Sequence, residues 1–302
     1  MIEEILELEN HKISVIVPVS EKTIYLSDCL DSIVEQEGLN IEVIIVDDNA
    51  DSTLEEILQR GYIEVATEPY FAPNEFIDPT ITGDDNIVGS DIELAKYIAD
   101  DLGVELRLKP MDFTSVLGSM TSGKFDMAIS ALAYTPSRAE TMNLSKGYYY
   151  GSEDPQKAYG ILIRKEDADK IKTVEDLADK TVAAQNGSLQ EMFVREQIPA
   201  YKQYNQVSST NDAFLMVQTG RADAMAAALK MAELYLESNP ECGLMILPDF
   251  YFTVDLDTQG TRIGIPLGED ELTDRIIEVS GNEIQEASGL YVDGKFIGAT
   301  TD

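Results

Sequence analysis

The stretch Ile129-Ser130-Ala131-Leu132-Ala133-Tyr134-Thr135-Pro136-Ser137-Arg138 holds the residues of this chain best spaced for chemistry. An apolar strand runs out, Thr135 stands where a helix N-cap belongs, and Pro136 suits the first helical position. Amides at a helix start lack partners within the helix and favour an anion. Arg138, one turn further on, can offer a planar fork to both oxygens of a carboxylate. A helix start beside a guanidinium is what a carboxylate site requires. The same spacing also serves an exposed arginine after a routine cap, and spacing alone does not separate the two.

Other chemistries have little material. There is one histidine, His11, and two cysteines, Cys29 and Cys242, so no zinc-type cluster is expected and the cysteines read as two buried free thiols. A histidine base is excluded by count from the chain beyond residue 60. Asp84-Asp85 lies in the turn sequence TGDDN, and the acids from Asp249 to Asp257 lack calcium-loop spacing, so neither metal nor cofactor is expected. The net charge of -34 repels phosphate backbones and argues against nucleic acid. No run of 18 apolar residues occurs. The opening MIEEILELEN has no basic region and does not read as a signal peptide.

The elements that must position these residues fall into two texts. From Lys12 to Leu58, the runs ISVIVPV and IEVIIV read as buried strands, with Leu26, Leu30, Ile33 and Val34 at helical spacing between them, which predicts a parallel βαβ unit. From Arg60 the plan changes. A strand at Ile63–Thr67 leads into the Pro-punctuated loop Glu68 to Pro73. A helix after Ser90 carries Ile92, Ala95, Ile98, Ala99 and Leu102 on one face. Val104, Leu106 and Leu108 alternate as a strand, Phe113 to Ser122 reads as a helix, and Phe125 to Ala131 as the next strand. A second set begins at Tyr159 to Arg164 and continues with a Thr173-capped helix, a strand at Thr181 to Gln185, helices at Gln190 to Glu196 and Asn211 to Gln218, and a strand at Ala222 to Ala227. Arg262 to Pro266 returns as a strand before a long helix from Asp270 to about Ala287. Two α/β sets joined by paired crossings predict two lobes with a cleft between them.

Two resemblances follow from these residues. ISVIVPV…CLDSI…IEVIIVDD resembles the opening βαβ of family 2 glycosyltransferases, which implies a nucleotide-binding role for Asp47 and Asp48. Ser20-Glu21 replace the tyrosine and asparagine usual there, and the family's later metal-binding and catalytic acids have no place before Arg60. The segment therefore reads as a truncated unit, with glycosyl transfer kept as the alternative function.

GYIEVATEPYFAPNEF, VGSDIELAKYIADDLGVE and GKFDMAISALAYTPSRAETMNLSKGYYY resemble the family 3 extracellular solute-binding proteins, the receptors of amino-acid ABC importers. That resemblance implies an α/β, two-lobed, periplasmic-binding-protein-like (type II) fold. Its boundaries would be 1–59 for the glycosyltransferase-like fragment, 60–152 for the first part of lobe 1, 153–252 for lobe 2 and 253–302 for the return to lobe 1. It also implies a non-enzymatic, monomeric receptor for an amino acid or related carboxylate, outside the membrane, delivering to an ABC permease.

Carried over by position, Arg138 pairs with the ligand carboxylate, and Ser130, Ala131 and Thr135 belong to the same segment. Glu68 is directed at the ligand amine and Phe71 stacks over its side chain. Gln185, Gly187, Ser188 and Leu189 belong to the loop that closes from the other lobe. Three positions depart from the family: Ala133 replaces a hydroxyl residue, Ala228 replaces the aspartate that pairs with the ligand ammonium, and Leu189 replaces a common small or hydroxyl residue. A buried ammonium without a carboxylate is costly, so either Glu68 serves alone or the ligand is not a standard α-amino acid. An enzyme built on this fold would have Glu68 as its one candidate acid or base.

Overall fold

The structure is a computed structural model that describes residues 12–19, 32–33, 40–47, 53–83, 86–150, 154–286, 291–292 and 295–296. It divides into two compact units, Met1–Glu56 and Ile57–Asp302.

In the first unit, β1 (Lys12–Val19) and β2 (Asn40–Asp47) pair in parallel, from Lys12 opposite Asn40 to Val19 opposite Asp47. A parallel pair needs a crossover, and the described part of it, residues 32–33, is helical. Leu26, Leu30, Val34, Ser20, Glu21, Cys29, His11 and Asp48 lie outside the described residues, as do Asp84 and Asp85 in the second unit.

Helix α1 (Thr53–Arg60) leads into β3 (Tyr62–Thr67), which buries Ile63, Val65 and Ala66. The short strands β4 (Tyr70–Phe71), β5 (Glu75–Ile77) and β6 (Ile87–Val88) form an antiparallel three-stranded sheet. Helix α2 (Ser90–Leu102) buries Ile92, Ala95, Ile98 and Ala99 and ends on Gly103, whose φ of 70° is the left-handed conformation a helix stop needs. Next come β7 (Glu105–Pro110) and α3 (Phe113–Thr121), the latter capped by Asp112 accepting from the Ser115 N–H at 3.0 Å. Strand β8 spans Met127–Ala133, two residues further along than the sequence predicts. Its burial on both faces is that of a central strand.

After the single turn α4 (Pro136–Ala139) and β9 (Met142–Leu144), the chain crosses to the second lobe. There follow β10 (Tyr159–Arg164), β11 (Thr181–Gln185), α5 (Leu189–Gln197), β12 (Gln203–Val207), α6 (Thr210–Gln218), β13 (Ala224–Ala228), α7 (Leu229–Ser238) and β14 (Leu244–Ile246). The predicted Thr173-capped helix is a short 3-10 helix, Val174–Leu177, closed by a reciprocal Thr173–Asp176 capping box. The chain then returns as β15 (Thr261–Pro266) and α8 (Asp270–Glu286), followed by the paired strands β16 (Tyr291–Val292) and β17 (Lys295–Phe296).

Each lobe is a five-stranded mixed sheet, ordered β7-β3-β8-β15-β9 in the first and β12-β11-β13-β10-β14 in the second. The two crossings run side by side. The Tyr148 N–H donates to the Thr261 carbonyl at 2.9 Å, and the Thr261 N–H donates to the Tyr149 carbonyl at 2.7 Å. Cys242 is a free thiol only half-buried, not the buried one expected, because it follows α7 in a turn at the rim of the second lobe. Among the described residues no helix is long and apolar enough to cross a membrane, and no group of acids, His and Cys is placed to hold a metal ion.

Candidate binding cleft

Strands β3 and β8 pair in parallel, Val65 opposite Met127, so the residues beyond β3 and the far end of β8 arrive at one edge of the sheet. Glu68 sits there, its backbone N–H donating to Ser130 Oγ at 2.9 Å. The Ser130 hydroxyl in turn donates to Glu75 Oε1 at 3.0 Å. Ala131 adopts φ 45°, a conformation that costs energy for a residue with a Cβ. It is held by Asp91, whose Oδ2 accepts from the Ala131 N–H at 2.8 Å and from the Tyr148 hydroxyl at 2.9 Å. Asn74 donates to the other Asp91 oxygen at 3.1 Å. Five buried side chains, Ser130, Glu75, Asp91, Tyr148 and Asn74, thus fix one strand end.

The helix expected to present free amides after Thr135 is a single turn of four residues. Pro136 has no N–H, and the Arg138 N–H is taken by Thr135 Oγ1 at 3.2 Å. Capacity for an anion therefore rests on the Arg138 guanidinium rather than on a helix dipole. That side chain is buried, donates from Nη1 to the Ala133 carbonyl at 2.7 Å, and lies 5.5 Å from the Phe113 ring centroid.

The second lobe meets this wall with the loop after β11. Gly187, at φ 73°, makes the turn, and Ser188 caps α5 by accepting from the Glu191 N–H at 3.2 Å. Among the described residues three side-chain hydrogen bonds cross the cleft. Arg138 Nη2 donates to the Gly187 carbonyl at 2.9 Å, Gln185 Nε2 to Glu68 Oε1 at 2.7 Å, and Asn186 Nδ2 to Thr114 Oγ1 at 3.1 Å. Between the lobes lies a pocket lined by Glu68, Phe71, Glu75, Phe113, Ser130, Ala131, Ala133, Arg138, Tyr159, Gln185, Ser188, Leu189 and Gln190.

Burial sets the electrostatics. It lowers the Arg138 pKa to about 10, the charge otherwise being unpaired by any carboxylate among the described residues. It raises Glu68 to about 7 against the opposing hydrogen bond from Gln185, with Asp112 and Asp212 adding to the rise. Glu75 is pushed well above the carboxylate range by burial and then by the Asp91 charge, and its Oε2 has no hydrogen-bond partner. Asp91 is also raised by burial, less so because its hydrogen bonds favour the anion. Tyr159 rises to about 12, again by burial. At neutral pH the pocket thus holds a cation at one side and a carboxyl poised to ionise at another.

Of the residues singled out from sequence, Glu68, Phe71, Ser130, Ala131, Ala133, Arg138, Gln185, Ser188 and Leu189 line this one pocket. Gly187 reaches it through its carbonyl, and Thr135 stands behind it, capping the turn that carries Arg138. Ala228 lines an adjoining pocket instead, opposite Tyr159 in the β10–β13 register. Asp47 ends β2 in the other unit, and Asp48 is outside the described residues. Glu75, Phe113 and Tyr159 were not singled out. Phe113 carried a sequence signal, the first residue of an Asp-capped helix beside the strand end, but Tyr159 reads only as the start of a strand. Tyr149 and Tyr150 line the adjoining pocket.

Two α/β lobes joined by paired crossings and closed over a buried arginine define the type II periplasmic binding-protein fold. Residues 63–203 match the bacterial extracellular solute-binding proteins, family 3. The arginine-binding extracellular protein ArtP of Bacillus subtilis is 31% identical over 195 residues, 63% of this chain and 70% of that protein. An amino acid ABC transporter substrate-binding protein from Streptococcus pneumoniae, solved bound to L-arginine, superposes with a TM-score of 0.68 at 30% identity, covering 78% of this chain and 93% of its own. An ancestral amino acid-binding protein described as a precursor of cyclohexadienyl dehydratase gives a TM-score of 0.63 at 28% identity, over 78% of this chain and 94% of its own. The chain belongs to the family 3 bacterial extracellular solute-binding proteins. Residues 14–65 separately match glycosyl transferase family 2.

Proposed function

We propose that the cleft binds a solute of the basic amino-acid class, carboxylate on Arg138 and cationic end toward Glu68, without transforming it. The observation that carries this is the pairing of opposites in one buried pocket: a guanidinium with no carboxylate partner among the described residues, and a carboxyl whose pKa stands at about 7. A ligand bearing both charges would satisfy both groups where a hydrophobic one would leave each uncompensated. Arginine is what the similar ArtP is named for and what the Streptococcus pneumoniae protein holds.

In this reading Phe71, Phe113 and Tyr159 cover the aliphatic part, Ser130, Ala131 and Ala133 form the floor, and Ser188, Leu189 and Gln190 close from the second lobe. Thr135 positions Arg138. The bodies that close are the segments 60–152 with 253–302, and 153–252. Family membership supports delivery to an ABC permease, and a site of action outside the membrane, by a monomer. Across the cleft the Glu68 carboxyl is met by the neutral amide of Gln185 rather than by a partner acid or base, which favours a binder over an enzyme. Calorimetry of the purified chain against the standard amino acids and small carboxylates tests this. Basic members should bind and release heat, and a panel in which no carboxylate-bearing solute binds would overturn the proposal.

A further inference from the structure

A second pocket adjoins the first and shares Phe71, Ala131 and Tyr159 with it. Ala228 and Lys230 belong to its far wall, with Tyr149 and Tyr150 on the hinge side. Resting on the function proposed above, we infer that the ligand is a basic amino acid whose α-nitrogen is acylated, the acyl group occupying this second pocket.

The geometry leaves an α-carbon two ways out once its carboxylate sits on Arg138. One runs to Glu68 and Glu75 and suits a cationic side chain. The other would lead past Phe71, Ala131 and Tyr159, which line both pockets, into the second one. Among the described residues no aspartate or glutamate lines that pocket, and its one charged side chain is Lys230. Ala228 holds the N-cap position of α7, where no side chain caps the helix. Lys230 and Met231, whose amides a cap would take, are themselves part of the pocket wall. An ammonium placed here meets like charge and the positive end of a helix, with no anion to offset its lost hydration. An uncharged amide nitrogen carries no such cost, and its acyl oxygen is the acceptor those donors lack. Tyr149, Tyr150 and Phe71 offer apolar surface to the remainder of the acyl chain.

The test is calorimetry of the full chain with L-arginine, Nα-acetyl-L-arginine and 5-guanidinopentanoate, which lacks the α-nitrogen altogether. Nα-acetyl-L-arginine should bind about ten-fold or more tighter than L-arginine, with 5-guanidinopentanoate between them. Ala228→Asp, a favourable residue at a helix N-cap, should reverse the order of the first two while leaving the melting temperature equal or higher. L-arginine binding as tightly as the acetyl compound would overturn the inference and leave the proposed function standing. The deaminated compound binding tightest would overturn occupancy of the second pocket. Failure of all three to bind would instead remove the proposed function itself.

Discussion

The two lobes face the cleft with different materials. The first supplies every ionisable carboxyl and guanidinium of the main pocket: Glu68, Glu75 and Arg138, with Asp91 and Tyr148 packed behind them. The second supplies Gln185, a serine, a leucine, a second glutamine, Tyr159 and one backbone carbonyl from Gly187. Charge is fixed where the sheet is rigid and buried on both faces, and the closing loop brings neutral hydrogen-bonding groups. Burying ions is costly, so concentrating them in one lobe confines the polar scaffolding they need to one place. What a ligand is should then be read by the first lobe, and how long it stays by the second.

The sharpest way to break this division is to remove its largest charge. Arg138→Met should reduce affinity for Nα-acetyl-L-arginine by about 100-fold or more, since the ligand carboxylate would be buried unpaired. Calorimetry reads it directly. A loss below about five-fold would move the carboxylate anchor elsewhere and undo the contrast between lobes.

Behind the pocket, Asp91 holds Ala131 in its left-handed conformation and accepts from three groups at once. An asparagine offers one acceptor oxygen where the carboxylate offers two. Asp91→Asn should therefore lower the urea unfolding free energy by about 1–3 kcal/mol, with no comparable loss from Gln185→Met in the second lobe. Equal losses would show the polar scaffolding to be shared.

Glu68 tests the same contrast through pH. Its pKa is raised by burial from an ordinary 4.5 to about 7, so the unfolded chain ionises this group first as pH rises. Stability from this group is full below the unfolded value and is lost as pH climbs through about 7. Glu68→Gln should flatten that part of the melting-temperature profile, Asp112 and Asp212 being the neighbours whose charges still act there. Affinity for a guanidinium-bearing ligand runs the other way, rising with pH as Glu68 ionises, by about ten-fold between pH 5 and 8. The variant should lose that rise.

How much of this was legible beforehand follows the same physical line. The Arg138 turn, the α2 face and the strand at Ile63 carry period and punctuation, and they were read correctly to within a residue or two. β12, with the polar sequence QYNQV, and α7, which starts on an alanine without a cap, offer no such signal and were missed. The helix-dipole reading of Thr135 is weakened for a length reason, since one turn accumulates little dipole, Pro136 has no N–H and the Arg138 N–H is bonded to Thr135 Oγ1. Glu75 was invisible because nothing local marks a glutamate as buried; the topology brings it against Ser130, 55 residues away. Neighbours close in sequence were readable, and long-range pairings were not.

The smallest expected effect is the one that isolates the second lobe. Asn186 and Thr114 join the lobes through a hydrogen bond at 3.1 Å at the solvent edge of the cleft, with no charge in it. Such a bond contributes about 0.5–1.5 kcal/mol, and only when the lobes are together. Asn186→Ala should therefore weaken Nα-acetyl-L-arginine binding by roughly two- to ten-fold, with the loss in the dissociation rate and the association rate unchanged. The ranking of ligands should not move, because every charge that tells them apart lies elsewhere, and the urea midpoint of the ligand-free chain should shift little. Stopped-flow measurement of both rates, with L-arginine as the second ligand, separates these outcomes. A change in ranking would make the closing loop a reader of the ligand, and the division between a lobe that selects and a lobe that retains would fall with it.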